Sequence, residues 1–533
     1  MGQIFSRLNR ISSKTNTENH VPHNPPTAQP DSSPITAPQN SSPRSDPASS
    51  IPSLNPSQCN SLPASSLPLV TDEILRQCPR FRVLVVGKSG VGKSSLISHA
   101  FGVDTKSVSH KERGVCDIHS EIISAQNDRF VLHDSMGFEP GEMKNFETVK
   151  DFLKSRSGER IELRNRVHVI WLCVQVPHSG GRVFETGDEE LLKLASEIKV
   201  PVVVVFTQFD KLANAVYRTL PKNTPREQKS ALCTETTTKK FQDLCITPLL
   251  QINAKLHYAR SSGLSGAQKS TTDQGALNNL ITITRDLVER EVEGEVWILS
   301  AMAQRANAHV KINASIEVGM KRYWEGLATS TKLLGSTLKQ CLNAVHKEMT
   351  DSWNFYDPND LLLSSEFSEK VQTLAQLVTP SEGDAKSWFN NLEAIQTWVG
   401  LVGATVAATA GPVIAAIGVS AWFINFIATT YRNTPETLRC FMGYIIDLTL
   451  VLHQLFLVVL PTMRQPRPLT HDEIDMALES YKFSDMGMVH HEIRRFVRET
   501  KFLLQPNAAE KKVKELIWLY SSENNPRSGA KSS

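Results

Sequence analysis

A chain of 533 residues with a formal net charge of +3 has room for two or three domains, and is too close to neutral to point to a nucleic-acid partner. Its eight cysteines lack paired metal-ligand spacing, which fits a reducing compartment and argues against a disulfide scaffold. No apolar run opens the chain, so a secretory leader is not expected and the cytoplasm is the expected setting.

Residues 1–76 form a Ser/Pro-rich arm. Between Val21 and Pro68 large apolar side chains are scarce, and the arm is expected to be disordered because it cannot bury enough surface to fold. Its tip, Met1-Gly2-Gln3-Ile4-Phe5-Ser6, fits an N-myristoylation pattern with Gly2 as acceptor. Arg7, Arg10 and Lys14 follow and would favour an anionic lipid surface, the second signal that one acyl chain needs. The pattern is short, and a chance match is the competing reading.

The apolar run Arg82 to Val86 reads as a buried strand, and Leu96 to Ala100 continues as a helix. Between them lie Gly87, Lys88, Ser89, Gly90, Val91, Gly92, Lys93, Ser94 and Ser95, a Gly-x4-Gly-Lys-Ser phosphate-binding loop in its expected setting. Its backbone N–H groups and the helix N-terminus would hold phosphates. Lys93 would reach the β- and γ-phosphates, and Ser94 would offer its hydroxyl to Mg²⁺.

A nearby strand should then supply a carboxylate. Arg129 to His133 is such a strand and delivers Asp134-Ser135-Met136-Gly137, with Asp134 expected to hold Mg²⁺ through water and the Gly137 N–H to sense the γ-phosphate. Val167 to Val174 is a further strand, and Thr186 to Ile198 has helical spacing. The run Val200 to Phe206 reads as a fully buried parallel strand and delivers Thr207-Gln208-Phe209-Asp210 at its carboxyl end, where ligands sit in open α/β sheets. A carboxylate at Asp210 can accept from N1–H and the 2-amino group of guanine, a pair that adenine lacks, so GTP/GDP is expected over ATP. Gln208 would cover the base with its aliphatic stem. The alternative is that Asp210 caps the following helix.

In this order the motifs resemble the G domain of the translation-factor-related class of GTPases. Gly87 to Ser94 matches the first motif, Asp134 to Gly137 the third, and Thr207 to Asp210 a variant of the fourth, Asn-Lys-x-Asp. The strings Arg113 to Ile118 and His133 to Glu139 are similar to fungal G domain-containing proteins of unassigned role. The resemblance implies a three-layer α/β P-loop NTPase domain over 77–292, with Lys93, Ser94 and Gly137 as the catalytic group.

Two departures stand out. Thr105, Ser107 and Ser109 precede the Arg113 to Ile118 stretch, but none is beside it, which leaves the second-motif hydroxyl unassigned. Phe138 stands where many small GTPases carry the glutamine that orients water, so another group, a homodimer or an effector protein would position it. For the fifth motif, Ser300-Ala301 is one option. Tyr258-Ala259-Arg260-Ser261 fits the motif order better, with Ala259 at the base. Residues 262–274 read as a flexible insertion.

Residues 293–393 are helix-compatible, and Arg305, Lys311 and Lys321 are expected on a solvated face. An apolar helical hairpin is expected over 394–465. Ala394 to Tyr431 carries no charge, whereas Cys440 to Leu460 contains Asp447 and His453 and makes a poorer span. A membrane-associated hairpin and one buried in a soluble domain both fit. Residues 466–533 read as a charged helical segment and a polar tail. The leading function is GTP binding with slow Mg²⁺-dependent hydrolysis, coupled to the helical region. The alternatives are a catalytically weak GTP-binding scaffold and, less favoured, an ATPase.

Overall fold

Phe81–Val86 (β1), Val169–Gln175 (β4) and Val202–Thr207 (β5) are valine-rich runs buried along nearly their whole length. Strands apolar on both faces need cover on both sides, and they take the centre of a parallel sheet. The remaining strands are Ile122–Ser124 (β2), Asn127–Asp134 (β3) and His257–Arg260 (β6). The sheet order is β2-β3-β1-β4-β5-β6, with β2 antiparallel to β3 and the other pairs parallel. The computed structural model describes residues 69–103, 117–135, 137–138, 144–177, 181–221, 223–262, 271–329, 338–378, 435–462, 467–499 and 508–521.

Helices cover both faces of the sheet. Val70–Gln77 (α1) precedes β1, and Lys93–Phe101 (α2) follows it. Lys144–Ser155 (α3), Thr186–Glu197 (α4), Phe209–Thr219 (α5), Arg226–Phe241 (α6) and Thr247–Ile252 (α7) pack on the face presenting Leu84, Ile170, Leu172 and Val204. The opposite face, with Val83, Trp171 and Val203, is covered by α2, Thr271–Glu291 (α8), Val296–Ala303 (α9) and one side of Ala308–Thr329 (α10). The result is the expected three-layer α/β arrangement.

Two expected boundaries shift. The sequence suggests an arm up to residue 76, yet α1 is helical from Val70, with Thr71 and Ile74 buried and the Val70 N–H bonded to the Glu348 carboxylate. The sheet core also continues beyond 292, because every residue of α9 is buried; its sequence VWILSAMA is apolar nearly all round and requires enclosure.

The second half is helical: Leu338–Trp353 (α11), Ser365–Gln376 (α12), Pro435–Val459 (α13), His471–Ser484 (α14), Met486–Glu499 (α15) and Ala508–Ser521 (α16). α13 is the central helix, packed by α10, α11, α12, α14, α15 and α16. Its stretch Phe441–Val459, mean hydropathy 1.8, is long and apolar enough to cross a membrane, but it is 83% buried within the bundle. Asp447 inside it accepts from Tyr481 Oη at 2.5 Å and pairs with His490 Nε2 at 3.0 Å. The expected hairpin is thus reduced, among the described residues, to this one qualifying helix. The charge-free stretch 394–431 lies outside the described residues.

α10 joins the halves. Val310, Ala314 and Val318 belong to the sheet core, while Ile312 and Ile316 belong to the bundle core. Beside them Arg305 and Lys311 are not on a solvated face, as expected from their charge, but buried, Lys311 completely. Three helix C-termini converge here and leave carbonyls without intrahelical donors. Lys311 Nζ donates to Met302 O at 2.9 Å and Trp353 O at 2.7 Å. The Arg305 N–H donates to Ala100 O at 2.7 Å, and its Nη1 to Trp353 O at 3.2 Å. Asn127 Nδ2 spans Phe101 O and Ala303 O, both at 2.7 Å. Burial pushes the Lys311 ammonium well below its usual range, and neighbouring Arg305 adds to the effect.

Candidate nucleotide site

β1 lies where the strand order reverses, since the chain passes from it to β3 on one side and to β4 on the other. The crevice beyond the carboxyl ends at such a point is where open α/β sheets take ligands. The loop Gly87 to Ser95 occupies it. Gly92, at φ 101°, turns the chain into α2, whose first residues are Lys93 and Ser94. Val91 is buried and anchors the loop, whereas Ser89 and Gly90 are exposed. Lys93 Nζ arches back to Gly87 O at 2.6 Å and Lys88 O at 3.4 Å, across the loop that the α2 amides face. Cys173 closes the floor beneath Gly87. Burial pushes its thiol up to about 12, so it is a packed wall and not a nucleophile.

Asp134 ends β3 opposite Val85 of β1, and the next residue, Ser135, donates its N–H to Val85 O at 3.1 Å. The register therefore brings this carboxylate to the loop. Gly137 approaches more closely still. A Cβ there would collide with the backbone of Gly87 and Lys88, so only glycine allows this contact. Phe138 turns away from the loop: it is 1% exposed, meets Phe146 edge to face at 6.0 Å and packs over Gly187.

At the other end, Thr207 closes β5 and donates from Oγ1 to Val174 O at 3.4 Å. Gln208 adopts φ 58° and its Nε2 donates to Gly90 O at 2.8 Å, tying this segment to the phosphate loop. Asp210 is exposed in the first turn of α5, while Gln208 holds the N-cap position. Ala259 is corrected by the fold. It lies inside β6 opposite Val205, with its methyl in the core and 1% exposed. Ser261 and Ser262 instead follow the carboxyl end of that strand, and the Ser261 N–H donates to Phe206 O at 2.8 Å. Ser300 and Ala301 are buried on α9, within the core.

Several expected positions, Gly2, Thr105, Ser107, Ser109, Arg113 to Cys116, Met136 and Glu139, lie outside the described residues. Among the described residues no cluster of three or more His, Cys, Asp or Glu could hold a metal by itself. The oxygen donors of Ser94 and Asp134 suit Mg²⁺, which binds through one or two protein oxygens together with phosphates and water.

A family described as "50S ribosome-binding GTPase" matches residues 82–208, and a domain of unknown function, DUF8505, matches residues 361–525. GTPase Der of Mesoplasma florum is 27% identical over 160 residues, covering 28% of this chain and 35% of its own length. GTPase Der of Ureaplasma urealyticum serovar 10 is 26% identical over 140 residues, covering 26% of this chain and 30% of its own length. The chain therefore spans about a third of these two relatives. The probable GTP-binding protein EngB of Flavobacterium psychrophilum is 23% identical over 198 residues, covering 35% of this chain and 92% of its own length. A crystal structure of an Aquifex aeolicus Era variant bound to GDP·AlF4− aligns at 18% identity and a TM-score of 0.23, covering 45% of this chain and 67% of that one.

Proposed function

We propose, from the premise that residues 82–208 are a P-loop GTPase domain related to the translation-factor class, that this chain binds GTP and hydrolyses it slowly to GDP and phosphate. One observation carries the reading. Gly87 to Ser95, Asp134, Gly137 and Thr207 to Asp210 gather at the carboxyl ends of β1, β3 and β5, with Gln208 bonded across to Gly90.

Lys93 and the N–H groups of the loop would take the charge that develops on the phosphates, a stabilisation that costs no rearrangement because the donors are already oriented. Ser94 and Asp134 would hold Mg²⁺, which supplies further charge neutralisation on the phosphate oxygens when bound. The Gly137 N–H would report the γ-phosphate. Asp210 would select guanine, and the backbone after β6, at Ser261 and Ser262, would border the base in place of Ala259. Phe138 is packed in the core and cannot orient water, which supports slow intrinsic turnover. The same observation favours a second reading, a GTP-binding scaffold with negligible hydrolysis.

Single-turnover phosphate release from the full chain separates the two. The enzyme reading expects a rate abolished by Lys93→Ala; equal rates in both proteins leave only the scaffold. Asp210→Asn should weaken GTP roughly tenfold or more by losing a charged acceptor, while leaving ATP unchanged. Tighter binding of ATP than GTP by the unsubstituted chain would overturn the guanine assignment.

A further inference from the structure

The segment expected to sense the γ-phosphate is gripped from two sides. The Gly137 backbone lies against Gly87 and Lys88, and the next residue, Phe138, lies on the start of α4. The contact with α4 depends on one missing methyl group: a Cβ on Gly187 would stand 2.6 Å from Phe138 Cγ and 2.8 Å from its Cβ. No ordinary carbon contact is that short, so any larger residue at 187 displaces the ring.

The position of α4 is in turn fixed to the phosphate loop. Lys88 Nζ forms an ion pair with Glu185 Oε1 at 2.7 Å. Glu185 is the N-cap of α4, its side chain accepts from the Asp188 N–H, and Asp188 accepts the Glu185 N–H at 2.9 Å. This reciprocal capping box holds the first turn rigid. A closed circuit results: Lys88 to Glu185, two residues on to Gly187, across to Phe138, and back through Gly137 to Lys88.

We propose that Gly187 and Glu185 are positioning residues for the γ-phosphate contact. Gly187 is the seat that receives Phe138, and Glu185, through Lys88, fixes that seat to the loop, so together they set the preference for a nucleoside triphosphate over the diphosphate. The inference rests on the nucleotide reading above and goes beyond it. A diphosphate lacks the group that would meet Gly137, so its affinity should be independent of the seat. The triphosphate gains the Gly137 N–H only while Phe138 is seated.

The test compares affinities of the full chain for GDP and a non-hydrolysable GTP analogue. Gly187→Ala should weaken the analogue at least about fivefold and leave GDP within about twofold. Trimming the displaced ring, Phe138→Leu in the Gly187→Ala background, should recover most of the loss. Glu185→Gln should weaken the analogue selectively, by less. Should Gly187→Ala not fold, Phe138→Ala in the otherwise unchanged chain empties the seat and should give the same selective loss. A GTP-to-GDP preference unmoved by these changes, or a Gly187→Ala loss that Phe138→Leu does not relieve, overturns the proposal while leaving the nucleotide reading intact. If the unsubstituted chain binds neither nucleotide, both fall.

Discussion

Asp188 shows how a residue can serve its neighbours at a cost to itself. Burial pushes its carboxyl from the usual 3.8 up to about 6, although the Glu185 N–H and the Lys88 ammonium both pull it down. Below about pH 3.8 the group is neutral whether the chain is folded or not, and it favours neither state. As pH rises from there to about 6, the unfolded chain ionises first, so folding loses stability, by about 3 kcal/mol at most. Asp188→Asn keeps an acceptor for the Glu185 N–H and removes the ionisation. The stability difference between variant and parent should therefore grow in the variant's favour across this window and then level off, as measured by urea unfolding. A difference that is flat with pH would show the carboxyl titrating normally. At this scale the sequence was legible where a motif fixes backbone geometry, as at Gly87 to Ser95 and Asp134. At Ala259 it left open which residue of Tyr258 to Ser261 clears the sheet, because residues two apart in a strand share a face and only the end of the strand separates them.

Among the elements, α13 illustrates what a hydropathy pattern leaves open. Asp447 and His453 marked it as a poor span, but a membrane and a bundle both reward an apolar helix, and only its neighbours separate them. Here those neighbours supply polar partners in place: Tyr481 from α14 and His490 from α15 converge on Asp447. Removing one partner leaves a buried carboxylate under-satisfied, so His490→Ala should cost about 3 kcal/mol in urea unfolding. Replacing all three groups together with Asp447→Leu, Tyr481→Phe and His490→Leu should cost less than His490→Ala alone, because no polar group is then stranded. The reverse order would mean that the cluster contributes net stability. The central strands were easier to find, since runs such as Val202 to Phe206 have no comparable alternative in an α/β chain.

On the scale of the whole molecule, the charges of residues 305–311 were the least legible part. Lysine and arginine on a helix usually mean solvent, and the sequence carries no sign that three helix C-termini will meet around them. The junction also ties the far end of the phosphate-loop helix to the helical half, since Arg305 bonds both Ala100 O and Trp353 O, while Asn127 of β3 joins Phe101 O to Ala303 O. Nucleotide bound at the N-terminus of α2 should thus slow amide exchange in 301–307. Asn127→Ala, at a stability cost of about 2 kcal/mol, should weaken that response, leaving the part carried by the Arg305 N–H on Ala100 O. Exchange in 301–307 that is indifferent to GDP in the parent chain would sever the link. α10 carries the largest consequence. Its Val310 face completes one core and its Ile312 face the other, so neither half has a boundary at which the chain can be cut without baring oil to water. The same constraint governs any chimaera: a chain that trades the bundle for another must also rebuild the Ile312 and Ile316 face of α10, because that face belongs to the core being replaced.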